Sequence, residues 1–384
     1  MTDPSCLLVT VDFPPAVTGG IQRYYYDLCR ESNGRISVVA PRCAGGEEFD
    51  RRQSFVVKRV GVPMGGSPIS RVLLTVLMAF HTGRILLFGR YKKLVAGHWF
   101  LLPAVIWIGR LRGLQTAVVM HGGELSRFRS ESRLRRAMVG IINRCDEVIV
   151  NSSYTAGQFI EQGVAKSRIK VLTPAVDSQT YQPGPNSAPG VSAGGTGADR
   201  ITLLTVGTLV ERKGHASVIA VLPRILAKHP STTYAIIGDG PCRPELAALA
   251  DRLGVASSVQ FLGRVTDEEV IQWMHACDIF VMPSGKLQGK SGEEGFGIVY
   301  LEANACGKPV VGGDSGGVRD AVIHGVTGFL VDPQDSDALF GALDELISRK
   351  DLRDLFGRQG RQRVVTEFQW RDRVEALVGG CGCR

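Results

Sequence analysis

The feature that most constrains the fold is a repeated alternation of short Val/Ile/Leu-rich runs with longer helical stretches. Near-continuous apolar runs that end in Gly, Ser or Pro are typical of parallel strands covered by helices on both faces. Two such alternations follow one another along 384 residues, which exceeds the length of one typical domain. The sequence therefore predicts an α/β fold with two doubly wound, Rossmann-like domains.

The predicted strands fall into two groups. The first half holds LLVTVDF, RISVVAP, KLVAGHW, TAVVMHG, EVIVNSS and KVLTP, and the second half holds ITLLTVG, TYAIIGDG, SVQFLG, DIFVMPS, PVVGGD and GFLVDP. Between them lies a stretch without aromatic residues, PGPNSAPGVSAGGTGADR, whose composition cannot build a core. We therefore predict a first domain over 1–182, a linker over 183–200, a second domain over 201–366, and a C-terminal helix and tail over 367–384.

Cysteine usage and hydropathy indicate the compartment. Nine cysteines are odd in number and form no CxxC pair, which is typical of reduced thiols in a cytosolic chain. The first residues, MTDPSCLLVTVDF, lack the regions of a signal peptide and resemble a strand. The most apolar stretch, 72–88, is interrupted by HTGR and falls short of the ~20 apolar residues of a spanning helix. We expect a cytoplasmic protein without a transmembrane helix.

The positive charge is unevenly divided along the chain. The net charge is +8, and residues 1–177 contain 24 Lys/Arg against 13 Asp/Glu. Between Arg51 and Gly123 there are eleven basic residues and no acidic one. A surface of one sign attracts phosphates, whether of nucleic acid, of anionic lipid or of a charged substrate. A surface that only aids solubility is the alternative, and both interpretations stay open.

Glycine-rich loops follow two predicted strands of the first domain, where open α/β sheets bind their ligands. Gly19 and Gly20 precede a helix expected to start near Gln22, and backbone N–H groups at such a start favour an anion. His121 follows the strand TAVVM and is itself followed by two glycines. His121 can bind a sugar hydroxyl or an oxyanion. The alternatives are a plain Gly-Gly turn and a histidine satisfied by turn backbone.

Two basic residues follow the first strand of the second domain. Lys213 lies just before the next helix, where it can place its charge against a diphosphate. Arg212 can do the same or face solvent. The GDGP turn that follows the strand TYAII is expected to be structural.

The segment EEGFGIVYLEANACGKP carries the strongest signal for chemistry. Glu294 and Glu302 are separated by seven residues, with a GFG loop directly after Glu294. We predict a helix from Ile298 onward, whose N-terminus offers N–H groups to an anion while the carboxylates accept hydrogen bonds from sugar hydroxyls. The alternatives are two surface carboxylates, or an acid/base pair as in a glycoside hydrolase. The acid/base pair fits less well because it calls for neither a glycine loop nor a lysine.

Taken together, these ordered motifs resemble glycosyltransferase family 4, a family of retaining enzymes with the two-domain GT-B fold. The resemblance runs from Thr10 to about Gln369, and its most specific part is EGFGIVYLEANACGKPVVGGDSGG, which matches the family's E-x7-E segment and glycine loop. Supporting matches are DFPPAVTGGIQ, HGGE, NSSYTAGQF, LTPAVD, LVERKG, GDGP, FLGRV and HGVTGFLVDP. The resemblance implies two Rossmann-like domains facing across a cleft. It also implies a donor held mainly by the C-terminal domain and a C-terminal helix that returns to the first domain.

The resemblance implies roles for individual residues. Glu294 contacts the transferred sugar, Lys213 neutralises the diphosphate and His121 lies near the sugar, so these three are the expected catalytic residues. Glu302 binds the ribose. The other expected donor-binding residues are Gly19, Gly20, Arg212, Gly263, Arg264, Val265, Gly295, Phe296, Gly297 and Ile298.

The sequence departs from the family pattern at two positions. Thr208 stands where many members carry an arginine that assists Lys213, so Arg212 or another basic group is expected to substitute. Asp320 stands where a glutamate commonly ends the GGxxE pattern, and this change is conservative.

The implied leaving group is a nucleoside diphosphate, so catalysis consists mainly of stabilising its negative charge. Lys213 and backbone N–H groups do this without a metal. Retention then implies attack from the face of departure, with the phosphate taking the acceptor proton. Residues 335–337, DSD, have the form of the DxD metal clamp of other glycosyltransferases, but they precede a helix and predict an N-cap. We expect no essential metal and no cofactor.

Within the family, the motifs look most like bacterial phosphatidylinositol mannosyltransferases. This implies transfer of a hexose, mannose favoured, from a nucleotide sugar to a lipid-linked or saccharide acceptor. Residues 70–93 and 125–144 are candidates for peripheral contact with an anionic membrane, unless they only pack on the first sheet. The alternatives are a UDP-sugar-dependent transferase, a sugar-nucleotide epimerase of the same fold and a non-catalytic binding protein. No nucleic-acid partner is expected.

Overall fold

The computed structural model describes residues 4–15, 19–61, 68–126, 133–185, 200–285 and 293–379. Its chain divides into two compact units. The first unit combines Met1–Pro174 with Trp370–Arg384, and the second is Ala175–Gln369. Most of the predicted linker, 186–199, lies outside the described residues. Each unit is built on its own parallel sheet.

The first unit contains a seven-stranded sheet in the order β3-β2-β1-β4-β5-β6-β7, and all its strand pairs are parallel. The strands are β1 (Cys6–Val9), β2 (Ile36–Pro41), β3 (Val57–Val60), β4 (Lys93–Ala96), β5 (Gln115–Met120), β6 (Glu147–Val150) and β7 (Ile169–Val171). Six of them are confirmed predictions. The sequence did not predict β3, because Lys58 and Arg59 interrupt its apolar run and it is a half-buried edge strand.

The helices of the first unit include one long helix with two unlike faces. On α3, Leu74, Met78 and Leu86 are buried in the core of the first unit, whereas Phe80 and Leu87 are exposed. The part of segment 70–93 that the structure describes therefore packs on the sheet and also leaves an apolar face open. The helices are α1 (Gly20–Arg30), α2 (Gly46–Arg51), α3 (Pro68–Phe88), α4 (Leu102–Arg112), α5 (Gly123–Ser126), α6 (Arg133–Ile142), α7 (Ser153–Glu161) and, from the C-terminus, α15 (Trp370–Val378).

The C-terminal end of α15 is fixed by two lysines of the first sheet. Lys93, the first residue of β4, is 2% exposed and donates to the Leu377 carbonyl at 3.0 Å and to Glu147 at 2.5 Å. Lys170 donates to the carbonyl of Ala376. The last carbonyls of a helix have no intrahelical partner and carry partial negative charge, so ammonium groups stabilise them.

The second unit contains a six-stranded parallel sheet in the order β10-β9-β8-β11-β12-β13. All six strands are confirmed predictions: β8 (Ile201–Val206), β9 (Thr232–Ile237), β10 (Val259–Gly263), β11 (Ile279–Met282), β12 (Val310–Gly313) and β13 (Gly328–Val331). Its helices are α8 (His215–Lys228), α9 (Arg243–Arg252), α10 (Asp267–Ala276), α11 (Ile298–Ala305), α12 (Val318–Ala321), α13 (Ser336–Ser348) and α14 (Lys350–Glu367).

Both faces of the second sheet are covered, as the near-continuous apolar runs predict. Along β11, Ile279 and Val281 lie in one core cluster, and Phe280 and Met282 lie in another. Successive side chains of a strand point to opposite faces, so two clusters require helices on both sides. The sheet is thus buried, and its ligand-accessible part is the edge where the strands end.

Two helix starts follow their sequence signals. The Asp335 side chain accepts hydrogen bonds from the N–H groups of Asp337 and Ala338, which confirms the predicted N-cap of α13. Thr266 and Glu269 form a capping box at the start of α10. Among the described residues, no helix is both long and apolar enough to span a bilayer.

We expect Lys93→Met to lower the free energy of unfolding of the first unit by about 3 kcal/mol, because it leaves Glu147 without its buried partner. Urea-induced unfolding measures this loss. Arg52→Met is the control, since Arg52 and Glu48 are both largely exposed and such a pair contributes under about 0.5 kcal/mol. Equal losses in the two variants would contradict the assigned role of Lys93.

Candidate functional site

The main candidate site lies where β8 and β11 end in the second sheet. After β8 the chain forms a single 3-10 turn, Glu211–Lys213, and then enters α8 through Gly214. Gly214 has a φ of +76°, and a Cβ at this position would lie 2.4 Å from the carbonyl oxygen of Pro283. Only glycine permits this approach. It brings the turn that carries Lys213 against the residues that follow β11.

The backbone of Glu294 is held by the glycine loop that follows β12. The N–H of Gly317 donates to the Glu294 carbonyl at 2.8 Å. Gly316 has a φ of +59°, and a Cβ on it would lie 2.4 Å from the same carbonyl oxygen. The GGDSGG loop therefore positions Glu294, a role that the motif match by itself does not indicate.

The Glu294 carboxylate binds two cations. Its Oε2 atom lies 2.5 Å from Lys213 Nζ and 2.7 Å from Arg212 Nη1. Burial alone would raise the pKa of Glu294, but the charges and hydrogen bonds of Lys213 and Arg212 outweigh it and lower the pKa to about 2. The carboxylate is therefore ionised at neutral pH, and the cluster carries a net positive charge.

The cluster lies beside the start of α11. Gly297 is the N-cap residue of this helix with a φ of +84°, and Ile298 is its first residue, as predicted. The first N–H groups of a helix lack intrahelical partners and carry partial positive charge. Two cations next to such a helix start have the charge and the donors that suit an anion with several oxygen atoms.

Arg212, and not Thr208, lies in the cluster with Lys213. Thr208 is exposed, whereas Arg212 lies at the carboxylate of Glu294 in the same cluster as Lys213. The sequence could not choose between this position and a solvent-facing one, because the direction of the Arg212 side chain is set by the 3-10 turn.

Glu302 lies one turn further along α11 and is 5% exposed, so it is not a surface carboxylate. Tyr300, on the same helix, is fully buried, and its Oη lies 2.9 Å from Ser284 Oγ. Phe296 is buried and packs against Phe368, with ring centroids 6.1 Å apart. These contacts fix the helix start with its GFG loop against the sheet.

The other predicted donor-binding segment lies at the same edge of the second sheet. Gly263 ends β10 with a φ of +70°, and its carbonyl accepts a hydrogen bond from Gly238 N–H at 2.7 Å. Arg264 is exposed and Val265 is half-buried. The structure thus brings Lys213, Arg212 and Glu294 into contact, and places 263–265 two strands away from β8 along the sheet edge.

The predicted residues of the first unit lie at the carboxyl edge of its own sheet. Gly19 is the N-cap of α1 and Gly20 its first residue. His121 follows β5, and its N–H donates to both carboxylate oxygens of Glu124 at 3.1 Å. This contact explains the HGGE motif: the glutamate folds back onto the backbone of the histidine.

The sequence did not predict the pairing of an aspartate with a histidine at this edge. Asp12 follows β1, and its Oδ2 lies 2.8 Å from Nε2 of His98, which follows β4. A hydrogen bond from His98 lowers the pKa of Asp12, although burial alone would raise it. β1 and β4 are adjacent, and the strand order of the sheet reverses between them. The loops after two such strands border the crevice in which open α/β sheets bind their ligands. The available signal was that each residue lies within three positions of the end of a strand.

Among the described residues, no group of three or more His, Cys, Asp or Glu side chains is placed to hold a metal ion. The seven cysteines of the described ranges are unpaired.

Comparison with known families gives two matches. The model described as "Glycosyl transferases group 1" matches residues 193–363, and the model described as "Glycosyltransferase Family 4" matches residues 18–180. Together they account for both units.

Comparison with characterised proteins gives similar chains over nearly the full length. The GDP-mannose-dependent alpha-(1-6)-phosphatidylinositol monomannoside mannosyltransferase of Mycolicibacterium smegmatis is 32% identical, with 97% of each chain covered. The GDP-mannose-dependent monoacylated alpha-(1-6)-phosphatidylinositol monomannoside mannosyltransferase of Corynebacterium glutamicum is 30% identical, with 97% of this chain and 96% of the relative covered.

Solved structures share the fold. The complex of Anabaena Alr3699/HepE with UDP and glucose superposes with a TM-score of 0.79 at 20% identity, covering 98% of this chain and 100% of that one. WaaG, a glycosyltransferase involved in lipopolysaccharide biosynthesis, superposes with a TM-score of 0.67 at 18% identity, covering 98% and 100%. These likenesses confirm the predicted pair of Rossmann-like domains.

We expect Gly316→Ala to lower the free energy of unfolding by about 3 kcal/mol, because the new Cβ collides with the Glu294 carbonyl. Gly325→Ala is the matched control: Gly325 has a φ of +73° but no heavy atom within 4 Å of its Cβ position, so only backbone strain of about 1 kcal/mol applies. Urea-induced unfolding compares the two variants. Equal decreases in the free energy of unfolding would show that Gly316 is not required for the packing of the GGDSGG loop on Glu294.

Proposed function

Because the chain belongs to glycosyltransferase family 4, we propose that it transfers mannose, with retention, from GDP-mannose to a mannosylated phosphatidylinositol acceptor. The membership confirms the resemblance carried by the motifs, and the protein is a hexosyltransferase that uses a nucleotide sugar. The observation that carries the reaction class is the contact of Lys213 and Arg212 with Glu294 at the start of α11. Support for the donor and acceptor comes from relatives that are 30–32% identical over nearly the whole chain.

Charge on the leaving group is the main chemical demand of the proposed reaction. The bond from the sugar C1 to the diphosphate oxygen breaks, and the electron pair leaves with the diphosphate. The acceptor hydroxyl forms the new bond to C1 on the same face and gives its proton to the departing phosphate oxygen. Lys213, Arg212 and the N–H groups at the start of α11 are the groups that would stabilise that charge.

Glu294 competes with the diphosphate for the same two cations. The carboxylate lies within 2.7 Å of both cationic groups, a position that a phosphate oxygen would otherwise take. When the diphosphate binds, the cations turn toward it and the Glu294 oxygens become acceptors for hydroxyls of the sugar. Glu294 therefore holds the cations in place before the donor arrives, and it helps to expel the diphosphate after transfer.

Lys213 and Arg212 supply two positive charges at this point, which is the charge that a divalent cation would bring. We therefore propose that transfer needs no metal. Full activity in the presence of a chelator is the expected result.

We further propose that the open face of α3 binds the surface of an anionic membrane. Phe80 is 59% exposed, and Arg84 lies over its ring at 5.9 Å. The neighbouring helix α4 is tied to α3 by a hydrogen bond from Arg112 to the Leu86 carbonyl, and its Trp107 is 65% exposed. Apolar side chains next to arginines suit the boundary between acyl chains and anionic headgroups. Such binding would place the protein peripherally at the inner face of the cell membrane, where its acceptor lies.

The first experiment measures transfer from GDP-[14C]mannose to mannosylated phosphatidylinositol in detergent micelles. We expect Lys213→Met to lower kcat/KM about 1,000-fold, because it removes a cation from the developing charge. Glu294→Gln should lower kcat and yet bind GDP about tenfold more tightly by calorimetry, since the competing carboxylate charge is gone. Arg224→Met is the control, because Arg224 pairs with Asp337 at an exposed position on α8.

The donor is tested in the same preparation by thermal shift with GDP-mannose, UDP-glucose, UDP-GlcNAc and ADP-glucose. The largest stabilisation by GDP-mannose supports the proposal, and a larger one by a UDP-sugar would replace it with the UDP-dependent alternative. Conversion of the donor to its epimer without transfer would instead identify an epimerase. Unchanged GDP affinity in Glu294→Gln would reject the competition between carboxylate and diphosphate.

The second experiment measures co-sedimentation with vesicles of phosphatidylcholine, with and without phosphatidylinositol. We expect binding to the anionic vesicles. The affinity for these vesicles should fall about tenfold in Phe80→Glu and in Trp107→Glu, because each substitution replaces an exposed aromatic ring that would be buried in the interface. Leu355→Glu, an exposed apolar position on α14, should bind as the unmodified protein does. Equal binding to neutral vesicles, or no effect of the α3 and α4 substitutions, would reject the membrane face.

A further inference from the structure

Within the described residues, the ring of His121 makes one hydrogen bond to another side chain, that of Tyr25. The His121 Nε2 atom lies 3.1 Å from Tyr25 Oη. Tyr25, on α1, is fully buried, and its Oη also lies 2.7 Å from the carbonyl oxygen of Gly97, which follows β4. The tyrosine hydroxyl therefore connects the loop after β4 with the histidine after β5.

The proton on Tyr25 can serve only one of these two contacts. A carbonyl oxygen has no proton to give, so the contact with Gly97 requires that Tyr25 donates to it. The hydroxyl then has only its lone pairs left for His121, and the contact requires that Nε2 carries a hydrogen. Burial raises the pKa of Tyr25 well above its usual value, so the hydroxyl keeps its proton. A neutral His121 therefore has one possible tautomer, with its hydrogen on Nε2 and a lone pair on Nδ1.

The ring is held in this orientation from several sides. Tyr24 and Tyr25 pack edge-on against it, with centroids 5.7 and 5.6 Å away, and Trp370 packs on Tyr24 at 5.7 Å. The backbone N–H of His121 donates to the Glu124 carboxylate. The aromatic surroundings also keep the ring neutral, since burial lowers the pKa of His121.

We propose that Tyr25 is a positioning residue that fixes the Nε2–H tautomer of His121, so that Nδ1 serves as a hydrogen-bond acceptor for a ligand hydroxyl. An acceptor nitrogen binds a group that donates a proton and repels groups that only accept. Nδ1 therefore selects a hydroxyl and disfavours a carboxylate or a phosphate oxygen at the same place. A hexose is preferred over the matching uronic acid. The proposal rests on the proposed function for the identity of the ligand, which is either the transferred sugar or the polyol of the acceptor.

The tautomer is tested first, without any substrate. The full chain is labelled with 15N at histidine, and His121 is assigned as the signal that is lost in His121→Gln. We expect two-bond 1H–15N correlations that mark Nε2 as protonated and Nδ1 as unprotonated. A protonated Nδ1, or an imidazolium at pH 7.5, would overturn the proposal.

A matched pair of variants then isolates the Tyr25 hydroxyl. Tyr25→Phe keeps the aromatic ring against His121 and removes the hydroxyl oxygen. The 15N chemical shifts of Nδ1 and Nε2 should therefore move toward each other as the second tautomer becomes populated. Tyr24→Phe removes a hydroxyl from the adjacent ring, which lies equally close to His121 but binds the Leu172 carbonyl. We expect the His121 signals of Tyr24→Phe to match the unmodified protein. Equal shifts in both variants would show a packing effect and reject the role of Tyr25, and unchanged signals in Tyr25→Phe would reject it as well.

The ligand hydroxyl is identified by a substrate cycle. Donor hydrolysis and transfer are measured with GDP-mannose and with analogues that carry fluorine in place of one hydroxyl at a time, since fluorine cannot donate. One analogue should lower kcat/KM about tenfold more in the unmodified protein than in His121→Ala, the loss expected for one hydrogen bond. A loss in both hydrolysis and transfer assigns the donor sugar. If only deoxyfluoro acceptors show the difference, the hydroxyl belongs to the acceptor polyol. No difference for any analogue of either substrate would overturn the acceptor role of Nδ1.

These measurements separate the two proposals. The labelled histidine reports the tautomer whether or not the chain transfers mannose, so an inactive preparation with a protonated Nε2 would reject only the proposed substrates. A protein that transfers mannose with a protonated Nδ1 would keep the proposed function and reject the positioning role of Tyr25.

Discussion

The contact of Glu294 with Lys213 and Arg212 is the interaction on which the arrangement of the second unit depends. A carboxylate that is only 12% exposed stays ionised because two cations lie within 2.7 Å of it. The two chain segments that form this contact each depend on a glycine at which an added Cβ would collide with backbone. Gly214 lets the turn that carries Lys213 pack against Pro283, and Gly316 lets the GGDSGG loop pack against Glu294. The polar cluster thus explains the glycines at positions 214 and 316.

The two units offer different chemistry at the same kind of place. The second unit gathers positive charge and a helix start beyond its strands, which suits a leaving group that gains negative charge. The first unit gathers a neutral histidine, its tyrosine partner and the Asp12–His98 pair, which suits hydroxyl groups. This division is the one that the proposed reaction calls for, since an anion departs and hydroxyls must be oriented.

The sequence predicted the strands well where burial on both faces made them uniformly apolar. It failed at β3, because an edge strand with Lys58 and Arg59 has no such run. At the site, the spacing from Glu294 to Glu302 and the glycines around it pointed to the helix start at Ile298, which the structure has. The same spacing left two surface carboxylates as an alternative, and burial of Glu302 excludes that arrangement.

By itself the sequence determined the two alternations of strand and helix, the family and the segments that follow the strands. Those properties depend on neighbouring residues, since hydrophobic period, turn chemistry and motif spacing are local. Only the tertiary structure decided that Arg212 meets Glu294, that Asp12 meets His98 and that one tyrosine hydroxyl serves both Gly97 and His121. Such contacts join residues that lie far apart in the chain. Their partners are set by strand order and by which loops share a sheet edge, which no local pattern contains.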